Sequence, residues 1–130
     1  MIAVDTNVFV RIFVDDPSQP EQVSAARTRA AEVGKVYVPQ IVQIESVWVF
    51  SKAFKLARGE VELILHHVRN NSAFVLQRPE VFSDALDLYR ESNLEFSDCV
   101  ILQECRLQGV VMWTFDRKLA RQSEAEVLPI

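Results

Sequence analysis

Met1-Ile2-Ala3-Val4-Asp5-Thr6-Asn7-Val8-Phe9-Val10-Arg11-Ile12-Phe13 sets one acid between two apolar runs. Ile2 to Val4 reads as a buried strand, and Thr6 to about Phe13 as a helix beginning directly behind it. Asp15-Asp16-Pro17 breaks that helix. Ser18 with Glu21 three residues on resembles a capping box, and Pro20 suits a first turn. The Ala- and Arg-rich helix that follows runs to Gly34, a C-terminal cap. A strand from Lys35 to Val38 is closed by Pro39. The strand–helix alternation set by the first thirteen residues therefore repeats.

It continues to the end of the chain. A helix is expected from about Ile41 to Leu56, separated by Gly59 from another over roughly Glu60 to Asn70. Ala73 to Leu76 reads as a strand, and Val81, Phe82, Ala85, Leu86, Leu88 and Tyr89 recur with helical period. Ser97 is placed to cap a helix ending at Gly109. Val110 to Phe115 is the clearest buried strand, and Glu126 to Leu128 a last short one. Strands alternating with helices predict an α/β fold, a three-layer α/β/α sandwich with a mostly parallel central sheet. No linker, repeat or low-complexity segment divides residues 1–130, so a single domain is expected.

Composition narrows the function classes. Hydrophobic residues make up 49% and charged residues 25%, as in ordinary soluble domains. No apolar stretch approaches a membrane span, and the start lacks a signal-peptide pattern, so the expected address is cytoplasmic. Cys99 and Cys105 point about 240° apart on one predicted helix, so they cannot pair within it and read as free thiols. The three glycines, Gly34, Gly59 and Gly109, are scattered. Neither a P-loop nor a dinucleotide fingerprint is possible without clustered glycine. The net charge of −4 does not favour bulk attraction to nucleic acid. A polyanionic partner would need a local basic patch or bound cations.

Four acids stand out. Asp5 follows the first strand, Glu45 lies inside Ile41-Val42-Gln43-Ile44-Glu45-Ser46-Val47-Trp48, Asp98 begins an apolar run, and Asp116 follows Val110 to Phe115. Acids in apolar surroundings cost folding energy unless paired, hydrogen-bonded or metal-bound. Each has a plainer explanation: Asp5 and Asp98 as helix caps, Asp116 as a turn residue, Glu45 on an exposed stripe. The case rests on the set. Sites in open parallel sheets form beyond the carboxyl ends of strands, and all four acids can reach such an edge. Carboxylates gathered there need protons or a cation, and oxygen-only ligands suit Mg²⁺ or Mn²⁺. Metal-assisted phosphodiester hydrolysis is the matching chemistry. The expectation is that the four converge at one sheet edge.

Val4-Asp5-Thr6-Asn7, Glu45, Ser97-Asp98 and Thr114-Phe115-Asp116-Arg117-Lys118-Leu119-Ala120, in that order, resemble the four motifs of the PIN-domain family. The likeness is strongest to the VapC-type toxins of toxin–antitoxin modules and covers essentially the whole chain. It implies a PIN-like fold and an Mg²⁺- or Mn²⁺-dependent endoribonuclease. Asp5 and Asp98 would be principal metal ligands, with Glu45 and Asp116 completing the pocket. Asn7 and Thr114 are candidates for hydrogen bonds that orient those carboxylates. Its implied partners are RNA, a cognate antitoxin protein and a second copy in a homodimer, with no direct DNA reading.

Arg11, Lys52 and Arg117 are the leading candidates for phosphate contacts, beside Lys55, Arg58, Lys118 and Arg121. Each of these cations taken singly also reads as ordinary surface charge. His66-His67 falls outside the motifs and reads as structural or surface, not as a catalytic base or metal site. Two phosphoryl-transfer readings are disfavoured, and a non-catalytic one is kept as the alternative. A haloacid-dehalogenase-like phosphatase needs a second aspartate where Asn7 stands; a receiver needs paired acids where Thr6 follows Asp5. A non-catalytic interaction module would use the abundant apolar residues between Ile41 and Leu65.

Overall fold

A computed structural model describes the whole chain, Met1–Ile130. It contains two compact units, Met1–Pro79 and Glu80–Ile130. In the first, β1 (Ile2–Ala3), α1 (Thr6–Phe13), α2 (Pro20–Val33), β2 (Val36–Val38), α3 (Gln40–Lys52), α4 (Arg58–Asn70) and β3 (Phe74–Leu76) follow in order. The strands form a parallel sheet in the order β1-β2-β3, with Ile2 opposite Val36 and Tyr37 opposite Val75. The alternation expected from the first thirteen residues is therefore present, and the predicted bounds of α1 are met.

Apolar periodicity explains how these elements pack. Phe9 and Val10 bury one face of α1, Val42, Val47 and Phe50 that of α3, and Val61, Leu65 and Val68 that of α4. Phe9, Phe13, Phe50 and Phe74 meet at ring separations of 5.2–6.5 Å, with the His67 ring against Phe13 and Phe74. His67 is exposed, with its ring edge on this cluster, in keeping with the structural-or-surface reading of the sequence. One buried polar group fixes α3 to the sheet. Gln43 Nε2 donates to the carbonyls of Val38 (3.0 Å) and Gln77 (2.9 Å), at the carboxyl ends of β2 and β3. The Gln77 side chain accepts from the Gln40 amide in return. Satisfied this way, Gln43 avoids the cost of an unpaired buried amide.

The second unit carries α5 (Pro79–Glu91), α6 (Phe96–Gln108), β4 (Met112–Thr114), a 3₁₀ turn (Leu119–Arg121) and β5 (Ala125–Val127). Strands β4 and β5 pair in parallel, Trp113 opposite Glu126. Its core gathers Phe82, Leu86 and Tyr89 from α5, and Phe96, Cys99, Val100 and Leu102 from α6. Every strand pairing in the chain is parallel, so the α/β class with parallel strands is borne out.

Several local expectations are corrected. Ser18 does not cap α2: its amide and hydroxyl both turn back to Asp16 Oδ1, and Gln19 takes the cap position without a side-chain bond. Gly59 does not separate two helices. It sits in the first turn of α4, where Glu60 reaches back to the Ala57 amide at 2.9 Å. Ser97 lies inside α6, and Glu95 precedes it as the cap residue. Helix α3 stops at Lys52 rather than Leu56; β1 is exposed at Ile2 and Ala3 rather than buried, and β4 is shorter than Val110 to Phe115 and exposed at Trp113. Gly34 and Gly109 do end their helices, at φ of 76° and 64°, a region that favours glycine. Cys99 is buried and Cys105 half-buried, both as free thiols.

Candidate active site

Each unit positions two of the four acids. In the first, Asp5 has extended backbone between β1 and α1, and its Oδ1 accepts the Val8 amide at 3.0 Å. This is the cap suggested by the sequence, and it leaves Oδ2 free. Capping and ligation are therefore compatible at Asp5, because the backbone bond aims the carboxylate without exhausting it. Glu45 lies on α3, and the hydroxyl of Thr6 donates to its Oε1 at 3.0 Å. Thr6 and Glu45 are 39 residues apart, so this bond connects the first residue of α1 to the second turn of α3.

Asp5, Glu45 and Asp116 are exposed, whereas their sequence neighbours suggested apolar surroundings. Geometry explains the difference. Around Glu45, the apolar Val42, Val47 and Phe50 turn to the core, while Ile41 (65% exposed) and Trp48 (63%) flank the acid on the outer face. The i, i+4, i+7 spacing puts these three on one side of the helix. Asp5 and Asp116 stand just beyond strand ends, where a side chain escapes the core.

In the second unit, Asp98 occupies the first turn of α6 and is half-buried. Burial pushes its carboxyl above the ordinary value, and the negative charges of Asp116 and Glu95 add to the effect. Asp116 is held at the end of β4. Its Oδ1 accepts the amides of Lys118 (2.8 Å) and Leu119 (3.3 Å), and its own amide donates to Thr114 Oγ1 at 3.0 Å. Thr114 thus orients Asp116 through the backbone. Asn7 makes no side-chain bond to Asp5 or Glu45; in that unit Thr6, which the sequence did not single out, reaches the carboxylate.

The cations differ in availability. Arg11 is tied down: it donates to the Asn7 carbonyl (3.2 Å) and pairs with Asp16 (3.0 Å). The Ser18 hydroxyl chiefly holds the Asp16 carboxyl below its usual range, opposed by burial and aided by the Ser18 amide and Arg11. Lys118 donates to the Asn93 carbonyl at 2.7 Å. Lys52 and Arg117 are exposed. Within neither unit do three or more His, Cys, Asp or Glu side chains gather closely enough to hold a metal ion.

Residues 2–125 match the PIN domain family. The chain belongs to the PIN domain family. It is also similar to a VapC ribonuclease of Aquifex aeolicus (strain VF5), at 22% identity over 111 residues, covering 85% of this chain and 82% of that one. For this PIN domain the state of Asp98 bears on stability. A raised folded-state pKa means that the folded chain binds a proton more readily than the unfolded chain. Stability should therefore fall as pH rises from about 4 through the Asp98 pKa, as the buried carboxyl ionises. Asp98→Asn is expected to raise the melting temperature of metal-free protein at pH 7, with the gain shrinking toward pH 4. Melting curves of both proteins across that range check it; a gain independent of pH would contradict the assignment.

Proposed function

We propose that this PIN domain is a metal-dependent endoribonuclease, the toxin of a VapBC-type toxin–antitoxin pair, acting as one domain over residues 1–130. The observation that carries this is the state of three of the acids. Asp5, Glu45 and Asp116 each accept hydrogen bonds through one carboxylate oxygen, leaving the other without a donor. Oxygen donors alone fit a hard divalent cation, Mg²⁺ or Mn²⁺, better than zinc. Asp5 and Asp98 would be the principal ligands, with Glu45 and Asp116 completing the set. The bound ion would activate water and steady the leaving oxygen of a phosphodiester. The chain's own part is to hold the carboxylates by amide and hydroxyl donors, and to offer Arg117 and Lys52 to backbone phosphates. Arg11 would first have to leave Asp16. Similarity to a VapC ribonuclease supports RNA as substrate and a cognate antitoxin as partner.

No helix is long and apolar enough to cross a membrane. A cytoplasmic site of action goes with RNA as substrate. Exposed Ile41, Trp48 and Leu63 on α3 and α4 favour protein contacts, either with a second copy in a homodimer or with the antitoxin. The test is incubation of inhibitor-free protein with total cellular RNA, with Mg²⁺ or Mn²⁺ and with EDTA, followed by mapping of new ends. Discrete ends that appear with metal and vanish with EDTA are expected. A folded protein that cuts no RNA class with either metal would leave the non-catalytic interaction module as the better account.

A further inference from the structure

We infer that Thr6 is a positioning residue for Glu45, and that its hydroxyl sets which carboxylate oxygen Glu45 presents. This rests on the nuclease proposal above. The donors that fix Asp5 and Asp116 are backbone amides, of Val8, Lys118 and Leu119, which no substitution other than proline removes. Glu45 differs. The only hydrogen bond on its carboxylate comes from the Thr6 hydroxyl, at 3.0 Å to Oε1.

Glu45 needs such an anchor. It sits on the exposed face of α3, and a solvated glutamate has several rotamers to choose from. Thr6 is well suited to supply it. As the first residue of α1 it directly follows the capping Asp5, so its backbone is fixed by the cap. A β-branched side chain has restricted χ1 freedom, so the hydroxyl is held in direction as well as place. Donation to Oε1 leaves Oε2 as the oxygen available to a cation. The same turn thus orients two acids: Asp5 through its cap bond and Glu45 through Thr6.

The test compares Thr6→Val, Thr6→Ser, Glu45→Met and the Thr6→Val/Glu45→Met double variant with wild type, methionine keeping the length of the side chain without an acceptor oxygen. Valine keeps the branched shape without the donor, and serine keeps the donor. Mn²⁺ affinity by calorimetry should weaken about 10- to 100-fold in Thr6→Val and recover largely in Thr6→Ser, a range typical of partners that orient metal ligands. RNA cleavage should lose kcat at saturating Mn²⁺ with KM for RNA little changed. In metal-free protein Thr6→Val and Glu45→Met should be non-additive in urea unfolding, because one removes the donor and the other the acceptor of the same bond. A wild type that neither binds Mn²⁺ nor cuts RNA would refute the nuclease proposal, leaving the unfolding cycle to judge the bond. An active wild type with Thr6→Val unchanged in Mn²⁺ affinity, or Thr6→Ser as weak as Thr6→Val, would overturn the role of Thr6.

Discussion

Asp98→Asn is expected to lower metal-dependent RNA cleavage by at least about 100-fold while the protein remains folded. The substitution keeps the shape of the side chain but exchanges a charged oxygen for an amide nitrogen, which cannot ligate a hard cation. Partners that merely orient a ligand already contribute roughly 10- to 100-fold, so loss of a principal ligand should cost more. The site explains why such a variant folds. Asp98 makes its unit less stable when ionised, because burial and the charges of Asp116 and Glu95 oppose that form. The same variant should therefore melt higher without metal and fail as a nuclease, the trade expected where a functional group is held at a cost to stability. Single-turnover cleavage of a defined RNA, with Mn²⁺ affinity measured in parallel, checks it. A wild-type cleavage rate in Asp98→Asn would remove Asp98 from the metal site. Arg117→Ala should instead raise KM with kcat little changed, since a phosphate contact binds ground and transition states alike.

Much of the fold was legible because local signals carry it. Two-residue and three-residue strands bounded by Pro39 and Pro79, and helices ended by Gly34 and Gly109, leave marks in adjacent residues. What was misread depended on competition between neighbours. Ser18 and Ser97 both look like caps, but Asp16 captures Ser18, and α6 starts one residue before Ser97. Gly59 looks like a break, yet a glycine in a first turn costs little when Glu60 satisfies the Ala57 amide. The acids themselves were visible by type and position. Their exposure was not, because Val42 and Val47 turn into the core while Glu45 shares the outer stripe of Ile41 and Trp48. Thr6 stands within the first motif, but nothing local gives it a role, because its partner is 39 residues away. An orienting hydrogen bond between distant segments becomes visible only once the segments are packed.

Phe96→Ala should be the most damaging substitution near the site, destabilising the protein by about 3–5 kcal/mol. Phe96 is 1% exposed and begins α6 two residues before Asp98. Its ring meets Phe82 at 5.8 Å and Tyr89 at 5.7 Å, both edge-on, so alanine removes two aromatic contacts as well as buried area. A domain of this size has only about 5–15 kcal/mol of stability to lose. Urea unfolding measures the effect directly; a cost below about 1 kcal/mol would mean that α5 and α6 do not depend on this cluster. Phe96→Leu should cost less, since a volume close to the original refills most of the space. The pair also separates support from chemistry. Where Phe96→Leu is fully folded its cleavage rate should be near wild type, because Phe96 anchors the turn carrying Asp98 and touches no reacting atom. A folded Phe96→Leu protein with impaired kcat would instead show that small shifts in the first turn of α6 reach the carboxylate, and that the aromatic cluster sets the position of Asp98 as well as the stability of its unit.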